Sequence, residues 1–173
     1  LESSATRSAI VLSVLTSTGA LAVSAVLGGP LAYWLSRPRA ARSRLRAIVE
    51  TLIDLPTVLP PSVAGVALLL TFGRNGLIGA FLRDAGVEIA FTPVAVILAQ
   101  VFVASPYFVR AASAGLASVE SGVRESATID GATGFAMFRF VLAPIAARSI
   151  GAGAAMCWSR AIGEFGATIM FAG

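Results

Sequence analysis

Histidine and lysine are absent from this chain, and Cys157 is its single cysteine. Without histidine, and with one thiol, the chain has neither a histidine acid or base nor the ligands of a His/Cys metal cluster, and it cannot close an internal disulfide. Without lysine it lacks the Gly-rich loop ending in Lys-Ser or Lys-Thr that holds nucleotide phosphates. We therefore expect no catalytic residues, no metal, no cofactor and no nucleotide site in this chain.

Charged residues are also scarce, at 13% of the 173 residues, against roughly 25% in a soluble domain. Hydrophobic residues make up 57%, and the mean hydropathy is +0.85. All 13 basic residues are arginines, most of them clustered between apolar stretches, which is typical of membrane topology and not of nucleic-acid binding. The composition predicts an all-α, polytopic transmembrane helix bundle that is surrounded by lipid and does not bind nucleic acid.

Four long apolar stretches follow one another along the chain, at residues 8–36, 55–73, 89–109 and 149–173. About 20 apolar residues cross the hydrocarbon core of a bilayer, so these stretches predict four spans within a single domain, residues 1–173. Pro30 predicts a kink near the end of the first span, and Pro106 a kink or an early stop in the third. We expect the chain to be a fragment whose further C-terminal span or spans are missing.

The second stretch opens with three prolines, Pro56, Pro60 and Pro61, which a regular helix does not accommodate. Irregular backbone at membrane depth survives only where it is buried in protein or lines a wet cavity. One interpretation is therefore a broken span beside a transport path, with Pro60 and Pro61 at the break. The other is an ordinary helix that begins after Pro61.

The connecting loops differ in their arginine content, which predicts their side of the membrane. Residues 37–46 hold five arginines and no acid, and residues 110–148 hold four arginines and three acids. Residues 74–88 hold only two arginines, balanced by two acids. Residues 37–46 and 110–148 are therefore expected in the cytoplasm, and the N-terminus and residues 74–88 are expected outside.

Residues 111–147, between the third and fourth spans, are longer than a bundle needs for a simple turn. Their apolar residues recur at helical spacing, at Leu116, Val119, Val123, Ala127 and Ile129. The pattern predicts a short amphipathic helix, a reversal at a glycine, a second helix and a proline that starts the next element. Such a helix either docks a partner protein or only anchors the loop at the membrane surface.

This region resembles the EAA motif of binding-protein-dependent ABC importer permeases. Glu125, Ala127, Gly131 and Pro144 fall on the spacing of that motif, with Asp130 beside the glycine. The departures from the motif are Ser126, Val141 and Ala143. The resemblance implies a cytoplasmic coupling helix that sits in a cleft of an ATP-binding cassette subunit, and we call residues 111–147 the coupling segment.

Two further stretches indicate which importer permeases the chain resembles. Residues 55–65 with 71–76 are similar to the second-span region of molybdate permeases, and residues 158–173 resemble their penultimate span more closely. Sulfate permeases share the Gly-Glu-Phe-Gly-Ala core, whereas the continuation Thr-Ile-Met-Phe-Ala-Gly favours molybdate. The resemblance implies a homodimeric permease in a bacterial or archaeal cell membrane, with an extracytoplasmic oxyanion-binding protein and molybdate or tungstate as substrate.

The fourth stretch carries an arginine and an acid one helical turn apart, Arg160 and Glu164. A lone carboxylate would repel a passing dianion at low dielectric, so we expect the two to pair. The pair either fixes helix packing or a gate, or contacts the substrate directly. Gly163 and Gly166, three residues apart, are expected to let another backbone approach at the same gate or at a dimer seam.

Other classes of protein leave features of the sequence unexplained. A sulfate or thiosulfate importer permease is the nearest alternative. A membrane-embedded enzyme would need clustered catalytic groups, and only Glu50, Asp54 and nearby arginines offer them. A membrane scaffold without transport activity would leave the long coupling segment without a purpose.

Overall fold

The computed structural model describes residues 2–37 and 44–164, with side chains from residue 7 onward, and every regular element within these ranges is helical. The all-α prediction is thus confirmed. The long and medium helices are α1 (Glu2–Leu35), α2 (Arg44–Val58), α3 (Pro61–Phe72), α5 (Pro93–Ala117) and α9 (Ala147–Ile162). The short elements are α4 (Gly79–Asp84), α6 (Ser121–Ile129), α7 (Gly134–Ala136), a π-helix (Met137–Leu142) and α8 (Ala143–Ile145).

Helices α1 and α5 pack side by side and run in the same direction. Gly19 lies against Ile97, and Gly28 lies against Val109, where an added Cβ would come within 2.8 Å of the valine side chain. Small residues let membrane helices approach this closely, so that packing replaces the hydrophobic driving force that lipid does not supply. The buried core continues along this seam through Ala104 and Ala112.

Helix α9 packs against α5 in the opposite direction. Gly115 of α5 lies so close to Ser149 that a Cβ on the glycine would stand 2.2 Å from the serine Cβ. Further along, Gly153 lies against Ala111. The helices α1, α5 and α9 therefore form one tightly packed bundle around Cys157, which is buried.

Two helices are long and apolar enough to cross a membrane, α5 and the part of α1 from Arg7 to Leu35. Two further pairs reach that length only together, and each pair is sharply bent: α2 with α3 by 118°, and residues 134–145 with α9 by 82°. By length and composition, the described residues thus offer two candidate spans, or up to four if each bent pair is counted as one. Helix α3 alone rises only about 18 Å.

The second predicted span differs from the observed one in its boundaries. Helix α2 begins at Arg44 and carries Glu50 and Asp54, so residue 55, where the sequence predicts the start of a span, lies inside a helix that has already begun. Pro56 lies inside the last turn of α2, where its ring removes one helical hydrogen bond without ending the helix. The break falls at Pro60, which has an extended backbone, and α3 begins at Pro61. The structure therefore has both a break at Pro60 and a helix that begins at Pro61, and the transport path beside the break stays a prediction.

The prolines of the other spans do not end their helices. Helix α1 continues through Pro30, and α5 continues through Pro106 to Ala117, so the predicted early stop in the third span is wrong. Residues 111–117 of the coupling segment are consequently the last two turns of α5. Helix α9 ends at Ile162, and the predicted continuation of the fourth span to residue 173 lies beyond the described residues.

Candidate functional site

The coupling segment folds into a helix, a reversal and a second helical stretch, as the sequence predicts. Helix α6 ends at Ile129, and Gly131 follows with a φ of +89°, a conformation that favours glycine. The amide of Ala132 donates to the carbonyl of Ala127 (2.8 Å) and that of Gly131 to Thr128 (3.0 Å), which satisfies carbonyls at the end of α6. Gly131 therefore turns the chain back along the bundle.

The two sides of α6 face different environments. Arg124 and Ala127 are half-buried against the bundle, whereas Glu125 and Asp130 are exposed. Ile129 is 86% exposed, so the prediction that it belongs to the apolar face of the segment is wrong. The reason is angular, since at about 100° per residue Ile129 lies opposite the midpoint between Arg124 and Ala127. The exposed side thus combines two carboxylates with an apolar side chain.

The inner side of the coupling segment joins the main core. Ala127 and Ala132 pack against the cluster that contains Met137 and Leu142. The Tyr33 hydroxyl near the end of α1 donates to the carbonyl oxygen of Gly134 at 3.2 Å. The segment and the end of α1 therefore lie together at one end of the bundle.

An aromatic and cationic cluster reinforces this contact. The rings of Tyr33 and Phe138 are 5.4 Å apart, centroid to centroid. The guanidinium of Arg37 lies 4.6 Å from the centroid of the Tyr33 ring, within the range of a cation–π interaction. Sequence reasoning missed this cluster, because about one hundred residues separate its two parts.

Arg124 is a second contact that sequence reasoning missed. Its Nη2 donates to the carbonyl of Leu116, and its Nε donates to the carbonyl of Val119 at 3.4 Å. These carbonyls lie in and just after the last turn of α5, where helical hydrogen bonding ends. The predicted third span ends at residue 109, so no predicted helix end near Arg124 indicated this cap.

Pro144 lies in the single turn of α8, between the π-helix and the bend at Ala146. The bend redirects the chain by 82° into α9. Pro144 occupies the first turn of α8, where a residue without an amide proton is tolerated, and this position agrees with the predicted start of a new element. The π-helix before it was not predicted from the sequence; wide turns of this kind occur frequently at functional sites.

The predicted ion pair at the far end of α9 is confirmed. Arg160 Nη1 and Glu164 Oε2 are 2.6 Å apart. The carboxylate side chain is 1% exposed and the arginine side chain 29% exposed, so the arginine is the partner that reaches the surface. Glu164 lies just beyond the helix, because α9 ends at Ile162 and Gly163 caps it.

A wide-open depression of about 520 Å³, which we call the Arg160 cavity, adjoins the exposed face of this arginine. Polar and small residues make up most of its lining, which consists of Tyr107, Ala155, Met156, Ser159, Arg160 and Gly163. No described backbone approaches Gly163 from another helix, since a Cβ there would meet only carbonyls of its own helix end. Gly166 lies outside the described residues. Pro60 and Pro61 do not line this cavity.

Gln100 of α5 binds the backbone near the end of α9, a contact that was not predicted from the sequence. It is 3% exposed, and its Nε2 donates to the carbonyl of Ala161 at 3.1 Å. Ala161 immediately follows Arg160, so this hydrogen bond fixes the backbone beside the ion pair. A polar residue in an otherwise apolar stretch was the available signal.

The acids that the enzyme alternative requires are engaged in ion pairs between helices. Arg110 of α5 contacts Asp54 through Nε (2.8 Å) and Nη2 (2.5 Å), and its Nη1 lies 3.9 Å from Glu50 Oε1. Glu50 also pairs with Arg46 at 2.8 Å. A carboxylate held by a bidentate guanidinium is a structural link more than an available acid or base. The cluster joins α2 to α5.

Comparison with known proteins places these features in a family. Residues 24–173 match the family described as binding-protein-dependent transport system inner membrane component. The probable transport system permease protein NifC of Clostridium pasteurianum is 40% identical over 164 residues, which is 95% of this chain and 57% of that protein. The molybdenum transport system permease protein ModB of Mycobacterium bovis is 41% identical over 169 residues, 96% of this chain and 62% of the relative.

A sulfate relative matches as well, at lower identity. The sulfate transport system permease protein CysT of Synechocystis sp. is 34% identical over 158 residues, which cover 91% of this chain and 54% of that protein. The chain thus spans between 54% and 62% of the length of these three relatives. Because the family match covers most of the chain, and the helices described above suit a membrane, the chain belongs to the family of inner membrane components of binding-protein-dependent transport systems.

Proposed function

We propose that the protein imports molybdate or tungstate into the cytoplasm as the permease of an ATP-driven importer. The observation that carries the proposal is the coupling segment, whose inner side is fastened to the bundle while its outer side presents Glu125, Asp130 and Ile129. The name of the ModB relative supports the substrate. In this proposal the chain transports without a nucleotide site of its own.

The exposed side of α6 is the proposed docking surface for the ATP-binding cassette subunit. Ile129 offers an apolar anchor, and Glu125 and Asp130 offer carboxylates at its rim, a combination suited to protein recognition. Ala127 fixes the distance between α6 and the core, and Gly131 and Pro144 set the turns on either side. ATP-driven closure of two such subunits would move two coupling segments together, with the permease as a homodimer.

The proposed topology follows the arginine distribution and agrees with the packing. The coupling segment and the end of α1 share one end of the bundle through the Tyr33–Gly134 hydrogen bond. We place this end in the cytoplasm, and the N-terminus and residues 74–88 on the outside, where an oxyanion-binding protein delivers substrate. The protein then lies in the cell membrane of a bacterium or archaeon, surrounded by lipid.

The cavity beside Arg160 is the proposed part of the translocation path. Because Glu164 is buried and Arg160 reaches the cavity, a passing dianion meets the cation before the carboxylate. Hydroxyls of Ser159 and Tyr107 add hydrogen-bond donors to the same lining. We assign the ion pair, with Gly163 and Gly166, to a gate of this path, and Pro60 and Pro61 to the break in the second span.

A sulfate importer remains the second candidate, favoured by the 34% identity to the CysT protein. Uptake of labelled molybdate by cells that express the full-length protein, its ATP-binding subunit and its binding protein distinguishes the two. We expect uptake that excess tungstate blocks and excess sulfate does not. Block by sulfate alone would move the protein to the sulfate class.

A further inference from the structure

Arg124 connects the coupling helix directly to the end of a membrane-spanning helix. The last turn of α5 has two of its carbonyls satisfied by Ser118, whose amide donates to Ala114 (3.0 Å) and whose hydroxyl donates to Gly115 (2.8 Å). The guanidinium of Arg124 donates to two further carbonyls, those of Leu116 in the last turn of α5 and of Val119 two residues beyond the helix. The end of α5 is thus closed by a side chain that belongs to α6.

The chemistry of this contact suits the transmission of force. A guanidinium is planar and presents its donors in a fixed fork, so two carbonyls define its orientation. A cation at the C-terminus of a helix is also favoured by the helix dipole. Leu116 and Val119 are buried and Arg124 is half-buried, so both hydrogen bonds are partly removed from solvent. A displacement of α6 therefore acts on the α5 backbone itself.

Helix α5 links this contact to the cavity end of α9. From Leu116 to Gln100 the helix rises about 24 Å, and at Gln100 the side chain donates to the backbone of α9 beside Arg160. The same helix packs against both α1 and α9. A movement that enters α5 at Leu116 consequently arrives at the Arg160–Glu164 pair.

We infer that Arg124 is the positioning residue that transmits movement of α6 to α5, and through α5 to the ion pair of Arg160 and Glu164. This inference rests on the proposed importer function and adds a specific mechanical connection to it. Arg124 is half-buried on the bundle side of α6, whereas Glu125 and Asp130 lie on the exposed side. Its role is therefore separable from docking of the ATP-binding subunit.

The rest of the coupling segment has anchors of its own. Tyr33 holds Gly134, and Ala127 and Ala132 pack into the core. Removal of the Arg124 guanidinium is thus expected to leave the segment folded and docked while it loosens the connection to α5. Hydrolysis of ATP would continue, but less of it would move substrate.

The test compares Arg124→Gln and Arg124→Lys with the control Arg139→Gln in the full-length protein with its partner subunits, reconstituted in vesicles. Arg139 is an exposed arginine of the same segment whose guanidinium lies 5.7 Å from the Phe140 ring centroid. The measurements are molybdate imported per ATP hydrolysed and the amount of ATP-binding subunit that copurifies. Coupling between sites is typically worth about 5-fold to 150-fold.

For Arg124→Gln we expect molybdate imported per ATP to fall about 5-fold or more, with copurification unchanged. Arg124→Lys keeps the charge but cannot donate to both carbonyls in a fixed fork, so we expect a smaller fall in molybdate imported per ATP. If Arg124→Gln is absent from the membrane, Arg124→Lys alone tests the inference. The control is expected to match the parent protein.

An unchanged ratio in both Arg124 variants, an equal loss in Arg139→Gln, or a loss proportional to copurification would overturn this inference. Failure of the parent protein to import any oxyanion would instead overturn the proposed function, and this inference with it.

Discussion

Removal of the Arg160 side chain is expected to harm the protein more than removal of Arg160 and Glu164 together. The two side chains are 2.6 Å apart, and the carboxylate is 1% exposed. Arg160→Ala therefore leaves a buried carboxylate without its guanidinium, whereas the double variant removes both the charge and its partner. Breaking a buried pair on one side costs about 3–5 kcal/mol, while replacing both partners costs much less.

The structure places this effect at the lower end of that range. Arg160 is 29% exposed at the cavity that we propose as a water-filled path, so water there would relieve part of the penalty. A cost of about 3 kcal/mol corresponds to a fall of about 6–12 °C in Tm for a domain of about 150–250 residues, and to a smaller fall in a longer chain. The difference in exposure also predicts which single variant loses more stability. Glu164→Ala leaves the arginine charge, which can reach water, so its loss of stability is expected to be smaller than that of Arg160→Ala.

Thermal unfolding of the detergent-solubilised full-length protein, followed by tryptophan fluorescence, measures these differences. The exposed pair of Arg83 and Asp84, 3.4 Å apart, supplies the control. Exposed pairs contribute less than about 1 kcal/mol, so Arg83→Ala is expected to change Tm little. A double variant as unstable as Arg160→Ala, or an Arg83→Ala variant equally unstable, would refute the reasoning.

Two further predictions concern the coupling segment and the bundle seam. Glu125→Arg is expected to release or uncouple the ATP-binding subunit without affecting membrane insertion, because it reverses a charge on the exposed side of α6; an unchanged ATPase rate, stimulated by the binding protein, would count against this. Gly115→Ala is expected to lower stability by about 1–3 kcal/mol, because its Cβ would stand 2.2 Å from that of Ser149. Gly151→Ala is the control, because a Cβ at Gly151 meets nothing within 4 Å. It is expected to leave stability unchanged or raised in the same unfolding assay. An equal loss of stability in Gly115→Ala and Gly151→Ala would argue against tight packing at Gly115.

The features that local chemistry determines were predictable from the sequence. Long uncharged stretches predicted membrane helices, and spacing along one helical turn predicted the pairing of Arg160 with Glu164. The turn at Gly131 was predictable because the region of φ that it occupies favours glycine. Each of these depends on residues within a few positions of one another.

The features that were missed depend on contacts between distant parts of the chain. Arg110 and Asp54 are 56 positions apart, and nothing in either neighbourhood indicates that the two meet. The outward position of Ile129 depends on which side of α6 the bundle happens to cover. Pro56 lies within a helix because it falls in the last turn, where one lost hydrogen bond is tolerated. Tertiary packing decided the first two, and the local end of α2 decided the third.

The central claim is that ATP hydrolysis by a partner subunit drives molybdate through this permease. Its most direct test is uptake of labelled molybdate into vesicles that contain the full-length protein and its ATP-binding subunit, supplied with the binding protein, with ATP or a non-hydrolysable analogue on the cytoplasmic side. We predict accumulation against a gradient with ATP and none with the analogue. Equal accumulation under both conditions, or none with ATP for molybdate, tungstate or sulfate, would contradict the account.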